Sequence, residues 1–175
     1  MPYSEMQIRL AQTEDAMAVA RVHVRSWQVA YRGLLPDDYL DQLRPEDRAA
    51  KYNFADPNPQ APKTLVAAEG SLIHGFATTM PSRDSNLPDH AELAALYVHP
   101  DQWGRGIGAA LIAAARGSLV QQGFRTAYLW VLAGNTRADR FYQIDGWQPT
   151  GEHRTDTVWG IAVNESRYLR MLASS

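Results

Sequence analysis

A glycine-rich run, Trp103-Gly104-Arg105-Gly106-Ile107-Gly108-Ala109, constrains the fold of this chain more than any other feature. It follows an apolar stretch at 93–98 and opens a segment of helical periodicity at 107–122. This order predicts a strand, a tight turn and a helix. Glycine permits a close approach of the backbone to a ligand, and the first N–H groups of a helix are unpaired and lie at the positive end of its dipole. The run therefore predicts a site for phosphate oxygens.

Length and charge narrow the class of protein. A chain of 175 residues favours a single domain, 1–175, with a hydrophobic core of ordinary size. The formal net charge of −2 provides no basic field, so we expect no nucleic-acid partner. No apolar stretch reaches the length of about 20 residues that crosses a bilayer, and residues 1–10 lack the pattern of a signal peptide. We therefore expect a cytoplasmic protein without a membrane partner.

The residue types that commonly bind metals or carry acyl groups are sparse. The chain has no cysteine, which excludes disulfides, zinc–thiolate sites and a cysteinyl intermediate. His23, His74, His90 and His153 do not have the spacing of metal ligands. We therefore expect no metal site.

The remaining pattern predicts an α/β (α+β) domain with a mixed sheet. A first helix should follow an N-cap at Thr13, because apolar residues then recur every three or four positions as far as Tyr31. Further helices are expected at 37–43, 46–54, 107–122 and 135–144, and strands at 7–10, 64–68, 72–79, 93–98, 126–132, 147–154 and 156–170. The strand–helix–strand unit in the middle should pair in parallel.

A dinucleotide site is one alternative for the glycine run, since Gly104, Gly106 and Ala109 fit G-x-G-x-x-[GA]. That interpretation needs an acidic residue about 20 positions later, at the end of the next strand. Residues 129–135 contain no Asp or Glu, and too little chain remains for a doubly wound half. A P-loop is excluded because no Lys-Ser or Lys-Thr follows the last glycine.

Two motifs together resemble a known family. Leu96-Tyr97-Val98-His99-Pro100 and the glycine run are followed, in the family's order and spacing, by Asn135-Thr136-Arg137-Ala138-Asp139-Arg140-Phe141-Tyr142 and Asp145-Gly146-Trp147. They resemble the GNAT superfamily of acetyl-CoA-dependent N-acetyltransferases. Residues 23–36 and 167–169 are similar to the opening and the last strand of bacterial members. Trp103 is a departure, since the family often has Gln or Arg there.

The resemblance implies a mostly antiparallel sheet flanked by helices, in which the parallel strands 93–98 and 126–132 splay apart to admit coenzyme A. Asn135 would bond the pantetheine arm, cap the following helix, or do both. Arg105 would either reach the phosphates or stay solvated. The cofactor-binding residues implied are Leu96, Tyr97 and Val98 through their main chain, then Trp103, Gly104, Arg105, Gly106, Ile107, Gly108, Ala109, Asn135 and Tyr142.

The resemblance also implies catalytic and acceptor residues. Tyr142 would protonate the leaving thiolate, the alternative being an ordinary core aromatic. Glu92 would take the proton of the amine, directly or through water, the alternative being a solvated strand-end carboxylate. His99 is expected to be a capping or surface residue. Acceptor contacts are expected from Trp27, Tyr31, Arg32 and Trp159. Core packing is the safer interpretation for Trp27, so Tyr31 and Arg32 are the better candidates.

The predicted function is therefore transfer of acetyl from acetyl-CoA to a primary amine, by direct attack in a ternary complex with main-chain stabilisation of the oxyanion. A small molecule or a protein amine would fit as acceptor, and relatives suggest a homodimer. The alternative is an acyl-CoA-binding regulatory module without turnover, and a dinucleotide-binding protein is a distant third.

Overall fold

A computed structural model describes residues 5–172 of the chain, which form a seven-stranded mixed sheet flanked by helices. The strands are β1 (Met6–Leu10), β2 (Lys63–Glu69), β3 (Leu72–Pro81), β4 (Ala91–Val98), β5 (Thr126–Leu132), β6 (Gln148–Val158) and β7 (Ile161–Met171). The helices are α1 (Ala16–Ala30), α2 (Asp37–Asp41), α3 (Pro45–Ala49), α4 (Ile107–Gln121) and α5 (Thr136–Ile144).

The order of the strands places a gap between β4 and β5, near the centre of the sheet. The order is β1-β2-β3-β4-β5-β7-β6. Within the described residues, β4 and β5 are the parallel neighbours, and their pairing covers Ala91 with Ala127 and Glu92 with Tyr128. Beyond Glu92 the two strands separate, so the predicted splayed pair is confirmed.

Helices cover both faces of the sheet and leave the gap between them. On one face, α4 packs on β2, β3 and β4, and Leu111 and Ile112 of α4 join Tyr142 of α5 in the buried cluster there. On the other face, α1 buries Val19 and Val22 against β2 and β3. Because burial of apolar area on both faces holds β4 and β5 in place, their separation beyond Glu92 is a fixed part of the core.

Several predicted boundaries were wrong. The helix expected after Thr13 begins with a 3₁₀ turn, Thr13–Asp15, before α1. The helices expected at 37–43 and 46–54 are shorter, ending at Asp41 and Ala49. The last two strands meet in a turn at Trp159 and Gly160, not near residue 155. Glu92 lies inside β4 and not before it, because β4 also pairs with β5 at that residue.

Candidate active site

A cavity of about 970 Å³ occupies the gap between β4 and β5 and extends to the first turn of α4. Of the described residues predicted for the site, Arg32 and Arg105 do not line it. The predicted residues that do line it are Trp27, Tyr31, Glu92, Leu96, Tyr97, Val98, Trp103, Gly104, Gly106, Ile107, Gly108, Ala109, Asn135, Tyr142 and Trp159.

The glycine turn leaves the start of α4 open to the cavity. Gly104 and Gly106 have φ angles of 83° and 78°, which favour glycine because a Cβ is strained there. The N–H of Ala110 donates to the carbonyl of Gly106 at 3.1 Å, so the preceding N–H groups of α4 have no partner within the helix. His99 acts as a cap, as expected: its Nδ1 accepts from the N–H of Asp101 at 3.1 Å.

Trp103 holds a cation, the guanidinium of Arg137, at this end of the cavity. Its indole Nε1 donates to the carbonyl of Val98 at 2.9 Å, and the guanidinium carbon of Arg137 lies 3.5 Å from the centre of its ring. Burial lowers the pKa of Arg137. Arg105 is instead exposed and donates to Gln102. The sequence did not single out Arg137, because its contact with Trp103 joins the turn before α4 to the first turn of α5, which lie far apart in the chain.

The inner edge of β4 presents alternate residues to the gap. His99 donates its N–H to His74 of β3 at 2.8 Å, and the carbonyl of Tyr97 also faces β3, where it lies close to Gly75. Because main-chain groups alternate along a strand, those of Leu96 and Val98 face the gap. Tyr97 therefore reaches the cavity through its side chain, which corrects the expectation for its main chain.

Asn135 and Tyr142 lie on one side of α5, two helical turns apart. The side chain of Asn135 accepts from the N–H of Ala138 at 3.2 Å, so the capping role is confirmed. Tyr142 is 9% exposed and lines the cavity. Burial, and then the nearby Tyr97, raise the pKa of Tyr142 well above its ordinary value, which keeps the phenol protonated.

Glu92 lies at the apex of the gap. It is not the solvated carboxylate that the alternative interpretation required. Its side chain is 4% exposed. Arg83 donates to both carboxylate oxygens, at 2.9 and 2.7 Å. The Tyr128 hydroxyl donates a third bond at 3.2 Å. The sequence did not indicate Arg83, which reaches Glu92 from the loop after β3.

An aromatic wall closes the opposite end of the cavity. The ring centres of Trp27 and Trp159 lie 4.3 Å apart, and those of Trp27 and Tyr31 lie 5.0 Å apart. The hydroxyls of Tyr31 and Tyr97 are hydrogen-bonded at 3.2 Å, and burial raises the pKa of both phenols. His23 stacks on Tyr97 at 4.8 Å. These uncharged rings form an apolar surface with a few polar atoms, which suits a small organic ligand.

Trp159 is held in this wall by a strained turn. Its φ of 50° is rare for a bulky residue. The hydroxyl of Tyr39 donates to its carbonyl at 2.8 Å, which helps to fix the turn. Arg32, which was expected to contact the acceptor, lies outside the cavity, because its guanidinium pairs with Asp37 and Asp41 of α2 on the surface.

Further charged residues that sequence reasoning missed also line the cavity. Glu165 of β7 accepts from Arg154 at 2.9 Å, and burial raises the pKa of Glu165 despite that bond. Arg154 also lies over the ring of Trp130, 4.3 Å from its centre. Arg48 of α3 lies over the ring of Trp159 at 4.8 Å. No local motif marks these residues, because elements distant along the chain bring them together.

Within 5–172, no group of three or more His, Asp or Glu side chains is arranged to hold a metal ion. In the same part of the chain, no helix has the length and apolar character needed to pass through a bilayer.

Comparison with known proteins agrees with this geometry. Residues 23–147 match the model of the acetyltransferase (GNAT) family. A Bacillus subtilis protein described as the uncharacterized N-acetyltransferase YuaI is 32% identical over 160 residues, covering 90% of this chain and 88% of the relative.

Solved structures share the fold. A GCN5-related N-acetyltransferase from Rhodopseudomonas palustris superposes with a TM-score of 0.73 at 23% identity, covering 98% of this chain and 99% of that one. The protein yncA from Salmonella typhimurium, solved with its cofactor acetyl-CoA, gives a TM-score of 0.72 at 18% identity, covering 98% of this chain and 96% of that one. The chain belongs to the GNAT family of acetyltransferases.

Proposed function

We propose that this protein transfers the acetyl group of acetyl-CoA to a primary amine by direct attack in a ternary complex. One observation carries the proposal: a continuous cavity joins the open N–H groups of α4, the gap-facing edge of β4, Tyr142 and the aromatic wall. A cavity of this form offers a phosphate site at one end and an acceptor site at the other. The structure of yncA with acetyl-CoA supports the choice of cosubstrate.

The chain has groups suited to each part of acetyl-CoA. The N–H groups of Ile107, Gly108 and Ala109 would bind the pyrophosphate, assisted by the positive end of the α4 dipole. Arg137 adds a charged donor beside them. The pantetheine arm would bond the free main-chain groups of Leu96, in the manner of an added strand. The side-chain NH2 group of Asn135 remains available to the same arm, because the capping bond uses the side-chain oxygen.

The reaction then needs a nucleophile, an oxyanion site and an acid. The amine nitrogen attacks the thioester carbonyl carbon, and gap-facing N–H groups near Leu96 and Val98 stabilise the negative oxygen. Collapse of the intermediate breaks the C–S bond and releases a thiolate. Tyr142 gives its proton to that sulfur. Because its pKa is raised, the Tyr142 phenol is protonated before each turnover and has a proton to give.

The amine must lose a proton, since alkyl ammonium groups have a pKa of about 10. Glu92, Glu165 or a water bound to one of them would accept it. Both carboxylates line the cavity. Direct transfer is favoured over an acyl-enzyme because the chain has no cysteine to carry the acetyl group.

The test is release of free CoA thiol from acetyl-CoA across a panel of amines, with mass spectrometry of the acetylated product. Amine-dependent release, with initial-rate lines that intersect when both substrates are varied, supports direct transfer. Parallel lines would indicate a covalent intermediate. Acetyl-CoA binding by calorimetry without release on any small or peptide amine would favour the regulatory module, and binding of NAD in its place would favour the dinucleotide interpretation.

A further inference from the structure

The arginines on the acceptor side of the cavity differ in their partners. Arg83 is neutralised by Glu92, with a closest contact of 2.7 Å. Arg154 is neutralised by Glu165 at 2.9 Å. Among the described residues, no carboxylate lies within ion-pair distance of Arg48, and its Nε is buried without a hydrogen-bond partner. Arg48 therefore contributes an uncompensated positive charge to the cavity.

The rings of Trp159 and Tyr52 flank the guanidinium of Arg48. Its central carbon lies 4.8 Å from the ring centre of Trp159 and 5.4 Å from that of Tyr52. Stacking on aromatic faces leaves the N–H groups at the edge of a guanidinium free to donate. A buried donor without a partner costs free energy, and a ligand acceptor would recover it. The backbone strain at Trp159 supports the same view, because strained residues concentrate at ligand sites.

The titratable groups that face Arg48 are uncharged. Burial, and then Arg48 itself, lower the pKa of His23 well below its ordinary value, and the Nδ1 of His23 is bonded to the Tyr52 hydroxyl at 2.8 Å. Burial raises the pKa of Tyr52 to about 12, although the charge of Arg48 and a hydrogen bond from it oppose that shift. The pKa of Tyr97 is also raised by burial, although Arg48 opposes that shift. At neutral pH none of these neighbours thus supplies a negative charge to offset that of Arg48.

We propose that the amine acceptor carries a carboxylate, which Arg48 binds against the aromatic wall while the amino group faces the thioester. This proposal rests on the acetyltransferase function proposed above. Tyr97 links the two positions, since it stacks on His23 beside Arg48 and perturbs the pKa of Tyr142. The acceptor class is therefore an amino acid or a similar amine bearing an acid, rather than a polyamine or a neutral amine. A guanidinium binds a carboxylate with paired, charge-assisted hydrogen bonds.

The test compares L-amino acids with their carboxamides in the CoA-release assay. The two differ at the group that Arg48 would bind, and the amide has the more readily deprotonated amine, so chemistry alone favours the amide. We expect the wild-type protein to prefer the acids by about 10- to 100-fold in kcat/KM. Arg48→Gln should remove that preference by lowering kcat/KM for the acids much more than kcat/KM for the amides. Arg48→Lys should keep part of it.

Arg44→Gln is the matched control, because it removes the same charge from an exposed side chain just before α3. It should keep the wild-type preference. The proposal would be overturned if the folded Arg48→Gln protein preferred acids as strongly as the wild-type protein does.

Binding of the product separates this proposal from the proposed function. N-acetyl amino acids and their amides are titrated while tryptophan fluorescence is followed, since Trp27 and Trp159 line the site. Binding of the acids that depends on Arg48, without acetylation of any amine, would uphold the carboxylate site and refute the transferase. Acetylation without preference for acids would do the reverse.

Discussion

Arg83 binds both carboxylate oxygens of Glu92 at the residue where β4 and β5 stop pairing. With the bond from Tyr128, three donors occupy a carboxylate that is almost fully buried. Few of its lone pairs remain to accept a proton. Glu165 lines the same cavity, and burial raises its pKa, which makes Glu165 the better proton acceptor.

We therefore predict that Glu165→Gln lowers kcat/KM about 100-fold and removes the acidic limb of its pH profile. The sign follows from the pKa. A base acts only when unprotonated, so the rate falls as the pH drops through the pKa of the base. Because the pKa of Glu165 is raised, this fall should occur at a pH above the value of about 4.3 that is typical of Glu. Glu92→Gln should lower the rate much less. If Glu92→Gln is inactive while folded and Glu165→Gln is normal, the amine base is Glu92.

Tyr142→Phe should lower kcat about 100-fold and leave the affinity for acetyl-CoA unchanged, because the proton is needed only as the sulfur leaves. The pKa of Tyr142 is raised far above the assay range, so titration of this phenol should not lower the rate of the wild-type protein at alkaline pH. Single-turnover rates and calorimetry check both parts. Normal kcat in the variant would leave Tyr142 as a core aromatic.

The capping and ligand roles of Asn135 are separable by two substitutions. Asn135→Ala removes the bond to the N–H of Ala138 and should cost about 1 kcal/mol of unfolding free energy. Asn135→Asp keeps the capping oxygen and should retain that stability. Both lack the amide donor, so both should raise KM for acetyl-CoA. Normal KM in both variants would restrict Asn135 to capping.

Gly106→Ala should weaken acetyl-CoA binding and cost about 1 kcal/mol of stability, because a φ of 78° is unfavourable for any residue with a Cβ. A steric clash does not explain this cost, since no atom lies within 4 Å of the position that the added Cβ would take. Gly117→Ala is the control. It has equal space inside α4 and should stabilise the protein by about 0.5 to 1 kcal/mol. Thermal unfolding and KM measurements on both variants distinguish strain in the turn from a general effect of the methyl group.

Asp15 should make the protein sensitive to acid. A hydrogen bond from Arg9, at 2.7 Å, lowers the pKa of Asp15 in the folded state. Its stabilisation is therefore complete above the ordinary pKa of about 3.9 and is lost as the pH falls through the lowered value. Asp15→Asn should cost about 1 kcal/mol at neutral pH and flatten this dependence. Urea unfolding across the acidic range measures both effects, and an unchanged pH slope would assign the acid sensitivity to other carboxylates.

Much of the fold was predictable because its signals are local. The strand, glycine turn and helix around Gly106 follow from backbone freedom and helix-end polarity within a few residues. β5 has its predicted limits, Thr126–Leu132, and Asn135 caps α5 as its position before the helix indicated. The turn at Trp159 was missed because two-residue hairpin turns with positive φ are usually signalled by Asn-Gly or Gly-Gly, not by Trp-Gly.

The charged residues at the acceptor end of the cavity could be identified only from the tertiary structure. Nothing near Arg48 in the sequence shows that it lacks a carboxylate, whereas Arg32, which resembled an acceptor residue, pairs with acids of the adjacent α2. Glu165 becomes a candidate base only because β7 lies beside β5. The sequence alone determined the family and the strand, glycine turn and helix around Gly106, and it predicted a phosphate site there and Tyr142 as the acid, since these rest on short-range backbone geometry and motif spacing. The partners of each charge were decided by the order of the strands and the packing of α1 and α3, because electrostatic balance depends on distances of a few ångströms between residues far apart in the chain.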